Sequence, residues 1–73
     1  MNNKRIITYG TWDMLHYGHY FLLKRAKELG IELYVGVSTD EMCCKKGKAT
    51  VFDENIRIQM VKDLRFVDKV FFE

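Results

Sequence analysis

The segment Leu33-Tyr34-Val35-Gly36-Val37-Ser38 limits the possible folds of this chain more than any other. It is a near-continuous apolar run of strand length, the pattern of a parallel strand covered on both faces. A parallel strand needs a crossover on each side rather than a tight hairpin, so helices are expected before and after it.

The flanking sequence supplies them. Ile6-Ile7-Thr8-Tyr9 is a β-branched and aromatic run ending in Gly10, expected to be a strand that enters a tight turn. From about Gly18 to Leu29 the residues Leu22, Ala26 and Leu29 share one helical face, Lys24, Lys27 and Glu28 lie off it, and Gly30 supplies a stop. Thr39-Asp40-Glu41 offers capping chemistry for a short helical turn, and residues 45–50 have loop composition. Asp53 is placed to cap a further helix whose apolar face is Ile56, Met60, Val61 and Leu64, with Arg57, Lys62 and Asp63 outside it. Lys69-Val70-Phe71-Phe72 begins a third strand.

The order β-α-β-α-β implies an α/β, Rossmann-like open parallel sheet with right-handed crossovers, in which ligands bind beyond the carboxyl ends of the strands. The third strand forms just before Glu73. Half a sheet of this kind leaves one face and one strand edge open to pairing. The expectation is a single partial domain over residues 1–73, with no repeat, linker or low-complexity segment.

Composition narrows the class of partner. A chain of 73 residues, 48% hydrophobic and without proline, has the make-up of one ordered domain with a small core. A chain this short buries only about 60% of its unfolded surface, so a second subunit would add useful contacts and a homodimer is expected. Twelve basic residues against ten acidic ones leave a charge of +2, interspersed along the chain, which argues against nucleic acid as a partner. The local excess at Lys45, Lys46 and Lys48 suits one small anion. The adjacent Cys43 and Cys44 lack the spacing of a metal or redox pair and are expected to be reduced thiols. The apolar run after the first residues is too short for a signal sequence or membrane span, which points to the cytoplasm and to no membrane contact.

The chemistry concentrates in Gly10-Thr11-Trp12-Asp13-Met14-Leu15-His16-Tyr17-Gly18-His19, between the first strand and the first helix. A helix start carries unpaired N–H donors and partial positive charge, so phosphate can settle there, and Gly18 allows close approach to the backbone. His16 and His19, three apart, add two side-chain donors to the same spot. They would stabilise charge at a phosphate under attack rather than act as nucleophile or base, because such transfers depend on positioning and on neutralising negative charge. The alternatives for the pair are a capping or surface role, or a metal site, for which further ligands are not evident. Asp13 is expected to accept backbone hydrogen bonds rather than ligate a metal.

These residues resemble the Gly-Thr-Phe-Asp-x-x-His-x-Gly-His signature of the cytidylyltransferase family, within the HxGH nucleotidylyltransferase superfamily. Ser38-Thr39-Asp40-Glu41 resembles the segment that ends the family's second strand. Lys46, Lys48 and Arg65-Phe66-Val67-Asp68 fall in register with its glycerol-3-phosphate members. Trp12 stands where the family has phenylalanine.

The resemblance implies transfer of a cytidylyl group from CTP to glycerol 3-phosphate, assisted by Mg2+, with release of pyrophosphate and formation of CDP-glycerol for teichoic-acid-type polymers. It implies nucleotide contacts from Gly10, Thr11, Trp12, Asp13, His16, Tyr17, Gly18, His19 and Lys48, with Lys46 on the glycerol phosphate and Arg65 supporting the site from the end of the third helix. His16, His19, Lys46 and Arg65 would then be the catalytic set. Lys46 and Lys48 also fit solvated loop charges, and Arg65 a cation at a helix end.

The family's second signature, of the type Arg-Thr-x-Gly-Ile-Ser-Thr-Thr, has no counterpart before Glu73. Base recognition is therefore expected to be missing, and the fold to be completed by further sequence or another chain. Transfer of another nucleotide or to another acceptor, as in adenylyltransferases or choline-phosphate cytidylyltransferases, stays open, as does noncatalytic nucleotide binding.

Overall fold

The computed structural model describes residues 4–47 and 49–73. The elements run β1 (Arg5–Gly10), α1 (Tyr17–Glu28), β2 (Glu32–Val37), α2 (Asp40–Lys45), α3 (Glu54–Lys62) and β3 (Lys69–Phe72). The strands form one parallel sheet in the order β1-β2-β3, with Ile6 opposite Leu33, Val35 opposite Val70 and Val37 opposite Phe72.

Parallel partners point to the same side of a sheet, so this register sorts the side chains into two faces. Leu33, Val35 and Val37 are fully buried on one face, beneath Leu23 of α1 and Val61 of α3. Ile6, Val70, Ala26, Ile58 and Leu64 pack around them. The other face carries Ile7 and Tyr9, 49% and 58% exposed, together with Tyr34 and Phe71. No element among the described residues covers it, so the apolar run of β2 is dry on one side only. The Tyr9 and Phe71 rings meet edge to face at 5.9 Å above Gly36, where an added Cβ would lie 2.6 Å from the Tyr9 ring.

Both helix faces differ from the expected ones. In α1 the buried side chain is Leu23, whereas Leu22 and Leu29 are 55% and 63% exposed. The sequence allows two overlapping stripes that share Ala26, and contact with the sheet selects the one through Leu23. In α3 the inward stripe is Arg57, Val61 and Leu64, and Ile56 is exposed. An arginine expected outside is the largest fully buried side chain of the protein as described.

The caps follow the sequence. Thr39 accepts the Met42 N–H at 3.1 Å to start α2, and Asp53 accepts the Ile56 N–H at 3.0 Å to start α3. Each bond satisfies a donor that the first turn would leave orphaned, which is worth about 1 kcal/mol. Gly30 ends α1 for a packing reason, since a Cβ there would sit 2.3 Å from the Lys4 carbonyl oxygen.

Candidate phosphate site at the carboxyl edge of the sheet

Three chain segments leave the same edge of the sheet: the turn after β1, the start of α2 after β2, and the loop that enters α3. The turn has an unusual backbone. Trp12 and Met14 both adopt left-handed conformations, with φ of 56° and 49°. Such conformations in residues with side chains persist only where the surroundings hold them.

Trp12 is held by its indole, which is 95% buried and donates from Nε1 to the Gly36 carbonyl at 3.1 Å. Gly10 makes room for it, because a Cβ at Gly10 would meet the indole at 2.8 Å. Asp13 is held by its carboxylate, which accepts the N–H groups of Val51 at 2.6 Å and Phe52 at 3.0 Å. These bonds, Phe52 first, keep the Asp13 carboxyl below its ordinary titration range. The aspartate thus accepts backbone donors as expected, chiefly from the distant 51–52 segment, with a lesser contribution from Met14 in its own turn.

The two histidines form the cap of α1. His16 is the N-cap, and its Nδ1 accepts the Gly18 N–H at 3.0 Å. His19 reaches back, its Nδ1 accepting the His16 N–H at 3.2 Å. This is a capping box in which imidazoles replace the usual hydroxyl and carboxylate. A nitrogen that accepts carries no proton, so both rings are assigned the tautomer with hydrogen on Nε2.

The capping role and the phosphate role are therefore compatible. Nδ1 of each ring serves the helix, and Nε2–H of each ring remains as a donor. The ring centroids lie 4.0 Å apart, with the planes tilted by 30°. Burial, and secondarily the neighbouring His16, lower the pKa of His19, so its ring is neutral at pH 7. Gly18 is required by this arrangement, since a Cβ there would lie 2.8 Å from the His16 ring. Its N–H donates to that ring and is thereby engaged by the cap.

The remaining predicted residues are distributed as follows. Thr11 lies in the turn, its carbonyl accepting from Arg57 at 2.8 Å and its hydroxyl 3.9 Å from the buried Cys43 sulfur. Tyr17 is 74% exposed beside the caps, its ring 6.3 Å from Tyr20 and 6.0 Å from Phe21. Lys46 is the exposed C-cap of α2, the helix that follows β2. Lys48 lies outside the described residues.

Arg65 is not brought to this group. It follows α3 on the segment that returns the chain to the amino edge of the sheet, where Asp68 accepts from Lys27 at 2.6 Å and from the Leu33 N–H at 2.7 Å. Among the described residues no three His, Cys, Asp or Glu side chains gather into a metal site, and both Asp13 oxygens are engaged by backbone donors.

The residue that the sequence reading overlooked is Arg57. Its signal was its position on the Val61 and Leu64 stripe, where an arginine can be inside only if oxygens await it.

Comparison with known proteins accords with this architecture. A family model described as cytidylyltransferase-like matches residues 7–73. Glycerol-3-phosphate cytidylyltransferase of Staphylococcus aureus is 51% identical over 67 residues, which is 92% of this chain and 51% of that protein. The FAD synthase of Thermoplasma acidophilum is 42% identical over 65 residues, 89% of this chain and 46% of that protein. A crystal structure of a lipopolysaccharide core biosynthesis protein from Thermoplasma volcanium superposes with a TM-score of 0.90 at 39% identity, covering 94% of this chain and 57% of that one. The chain spans about half the length of the curated relatives it matches. With the family model covering all but the first six residues, the chain belongs to the cytidylyltransferase-like family.

Proposed function

We propose that this chain is the phosphate-gripping half of a nucleotidyltransferase that moves a cytidylyl group from CTP to glycerol 3-phosphate. The carrying observation is the histidine cap: two adjacent imidazoles are committed through Nδ1 to the start of α1, which leaves Nε2–H of each ring as a donor. In the proposed reaction an oxygen of the acceptor phosphate attacks the α-phosphorus of CTP, the bond to the β-phosphate breaks, and pyrophosphate leaves. An ionised phosphate ester is already a nucleophile, so no side chain has to remove a proton. What the site must supply is charge stabilisation, and preorganised N–H donors supply it without reorganising at the moment of transfer.

Thr11, Trp12, Asp13 and His16 through His19 are proposed around the nucleotide, directly or by shaping the turn, with Lys48 on its phosphates and Lys46 on the acceptor. Magnesium belongs to the proposal as an ion carried on the triphosphate, the usual mode for Mg2+ with nucleotides. The exposed sheet face and aromatic surface support self-association as a homodimer. Turnover is proposed for this chain together with the remainder of the fold of its longer relatives.

The glycerol-3-phosphate cytidylyltransferases of S. aureus and Bacillus subtilis, at 51% and 46% identity, favour cytidylyl transfer. The FAD synthase relatives at 42% favour a second reading, adenylyl transfer at the same corner. Calorimetric titration of this chain joined to the remainder of the fold, with CTP and with ATP, each with magnesium, tests the choice. The expected result is tighter binding of CTP. A clear preference for ATP contradicts the cytidylyl reading, and no binding of either contradicts the phosphate site.

A further inference from the structure

Arg57 is fully buried, and its guanidinium makes four hydrogen bonds to three chain segments. Nε donates to the Phe52 carbonyl at 2.9 Å, Nη1 to the carbonyls of Thr11 at 2.8 Å and Ser38 at 2.7 Å, and Nη2 to Asp40 Oδ1 at 2.6 Å. The carbonyls belong to the turn after β1, the end of β2 and the loop that enters α3. Asp40 matches the charge and is itself fixed, because its Oδ2 accepts the Glu54 N–H while its own N–H donates to Glu54 Oε1.

Two features go beyond core packing. The segment 51–52 is held from both sides, its N–H groups by Asp13 and its Phe52 carbonyl by Arg57. The left-handed Trp12 is likewise bracketed, with Thr11 before it bound to Arg57 and Asp13 after it bound to Val51 and Phe52. One arginine and one aspartate therefore tie the strained phosphate turn to the far root of the loop that carries Lys46 and Lys48.

We propose that Arg57, completed by Asp13, is a positioning residue that sets the place of the loop after α2 relative to the histidine corner, and so tunes binding of both the nucleotide and the phosphate acceptor. The ligand half of this statement rests on the proposed function; the mechanical half does not. Lysine cannot replace Arg57 in the role, because a single ammonium lacks the planar fork that reaches three carbonyls in different directions.

The test compares the full 73-residue chain with its Arg57→Lys and Asp40→Asn variants by amide hydrogen exchange. In Arg57→Lys the Val51 and Phe52 amides are expected to exchange about tenfold faster or more relative to the Val35 and Val37 ladder amides. Asp40→Asn, which alters a half-exposed carboxylate, is expected to give a smaller change of the same pattern, and it decides the matter if Arg57→Lys does not fold. Unchanged exchange at Val51 and Phe52, or equal loosening of loop and ladder, overturns the proposal and leaves Arg57 as core packing.

A second readout follows Trp12, the single tryptophan, during titration with magnesium CTP and with glycerol 3-phosphate. Affinity for each ligand is expected to fall about tenfold in Arg57→Lys. Unchanged affinity for both ligands contradicts the ligand half of the proposal. If the unaltered chain binds neither ligand, the functional reading fails, and exchange alone still judges the positioning.

Discussion

His19 Nδ1 lies 3.2 Å from the backbone nitrogen of His16 and accepts its N–H, while His16 Nδ1 accepts from Gly18. The same two rings therefore start the helix and form the polar corner at its end. This dual use makes the capping and ligand roles separable by substitution.

Asparagine caps helices as well as any residue but has no imidazole. His16→Asn is expected to stay within about 0.5 kcal/mol of the original in urea denaturation, whereas His16→Ala loses about 1 kcal/mol. Both are expected to lose about tenfold or more in CTP affinity, the scale of a hydrogen bond to a charged group. A His16→Asn chain that binds CTP normally would reduce the histidine to a cap.

Acid should act on stability in two stages. The His19 pKa is lowered in the fold, mainly by burial, from an ordinary value of 6.5. The unfolded chain then takes up the proton first, so the stability present above pH 6.5 declines as pH falls through the depressed folded value. Asp13, Asp40 and Asp68 are also lowered, from 3.8, chiefly by the Phe52 N–H, by Arg57 and by Lys27 respectively. Their contributions persist above pH 3.8 and disappear below it. Urea midpoints measured from pH 8 to pH 3 check this, and His19→Gln is expected to remove its share of the first decline.

The two leucines at the centre of α1 provide a packing test. Leu23→Ala, at a fully buried position, is expected to cost about 2–5 kcal/mol. A chain of this length holds only about 4–11 kcal/mol in all, so much of the population should unfold. Leu22→Ala, at an exposed position, is expected to change stability by less than about 0.5 kcal/mol. Urea denaturation of the pair checks the helix orientation, and equal effects contradict it.

Local chemistry was legible in the sequence. The order of strands and helices, the caps at Thr39 and Asp53, and the strand beginning at Lys69 depend on neighbouring residues and were readable from them. What depends on remote contacts was not. Leu22 and Leu23 are equivalent to a periodicity argument until a sheet lies under one of them. Arg57 looked like a surface cation because the oxygens that receive it lie 46, 19, 17 and 5 residues away in sequence. The placement of Arg65 has the same origin, since proximity in a family pattern does not say at which end of a sheet a residue stands. At the histidine corner the spacing of three is compatible with a cap and with a donor pair, and the structure shows the Nδ1 of each ring engaged in the cap.

The central claim is that a triphosphate rests against the start of α1 on the Nε2–H groups of His16 and His19. Nitrogen-15 NMR of the labelled chain, titrated with magnesium CTP at pH 7.5, tests it most directly by following the imidazole nitrogens. The expected result is that both free rings carry hydrogen on Nε2, and that the nucleotide shifts those nitrogens and the Gly18 amide more than any others. Rings protonated on Nδ1, or largest shifts around Lys62, Val67 and Val70 with both imidazoles undisturbed, would contradict the account.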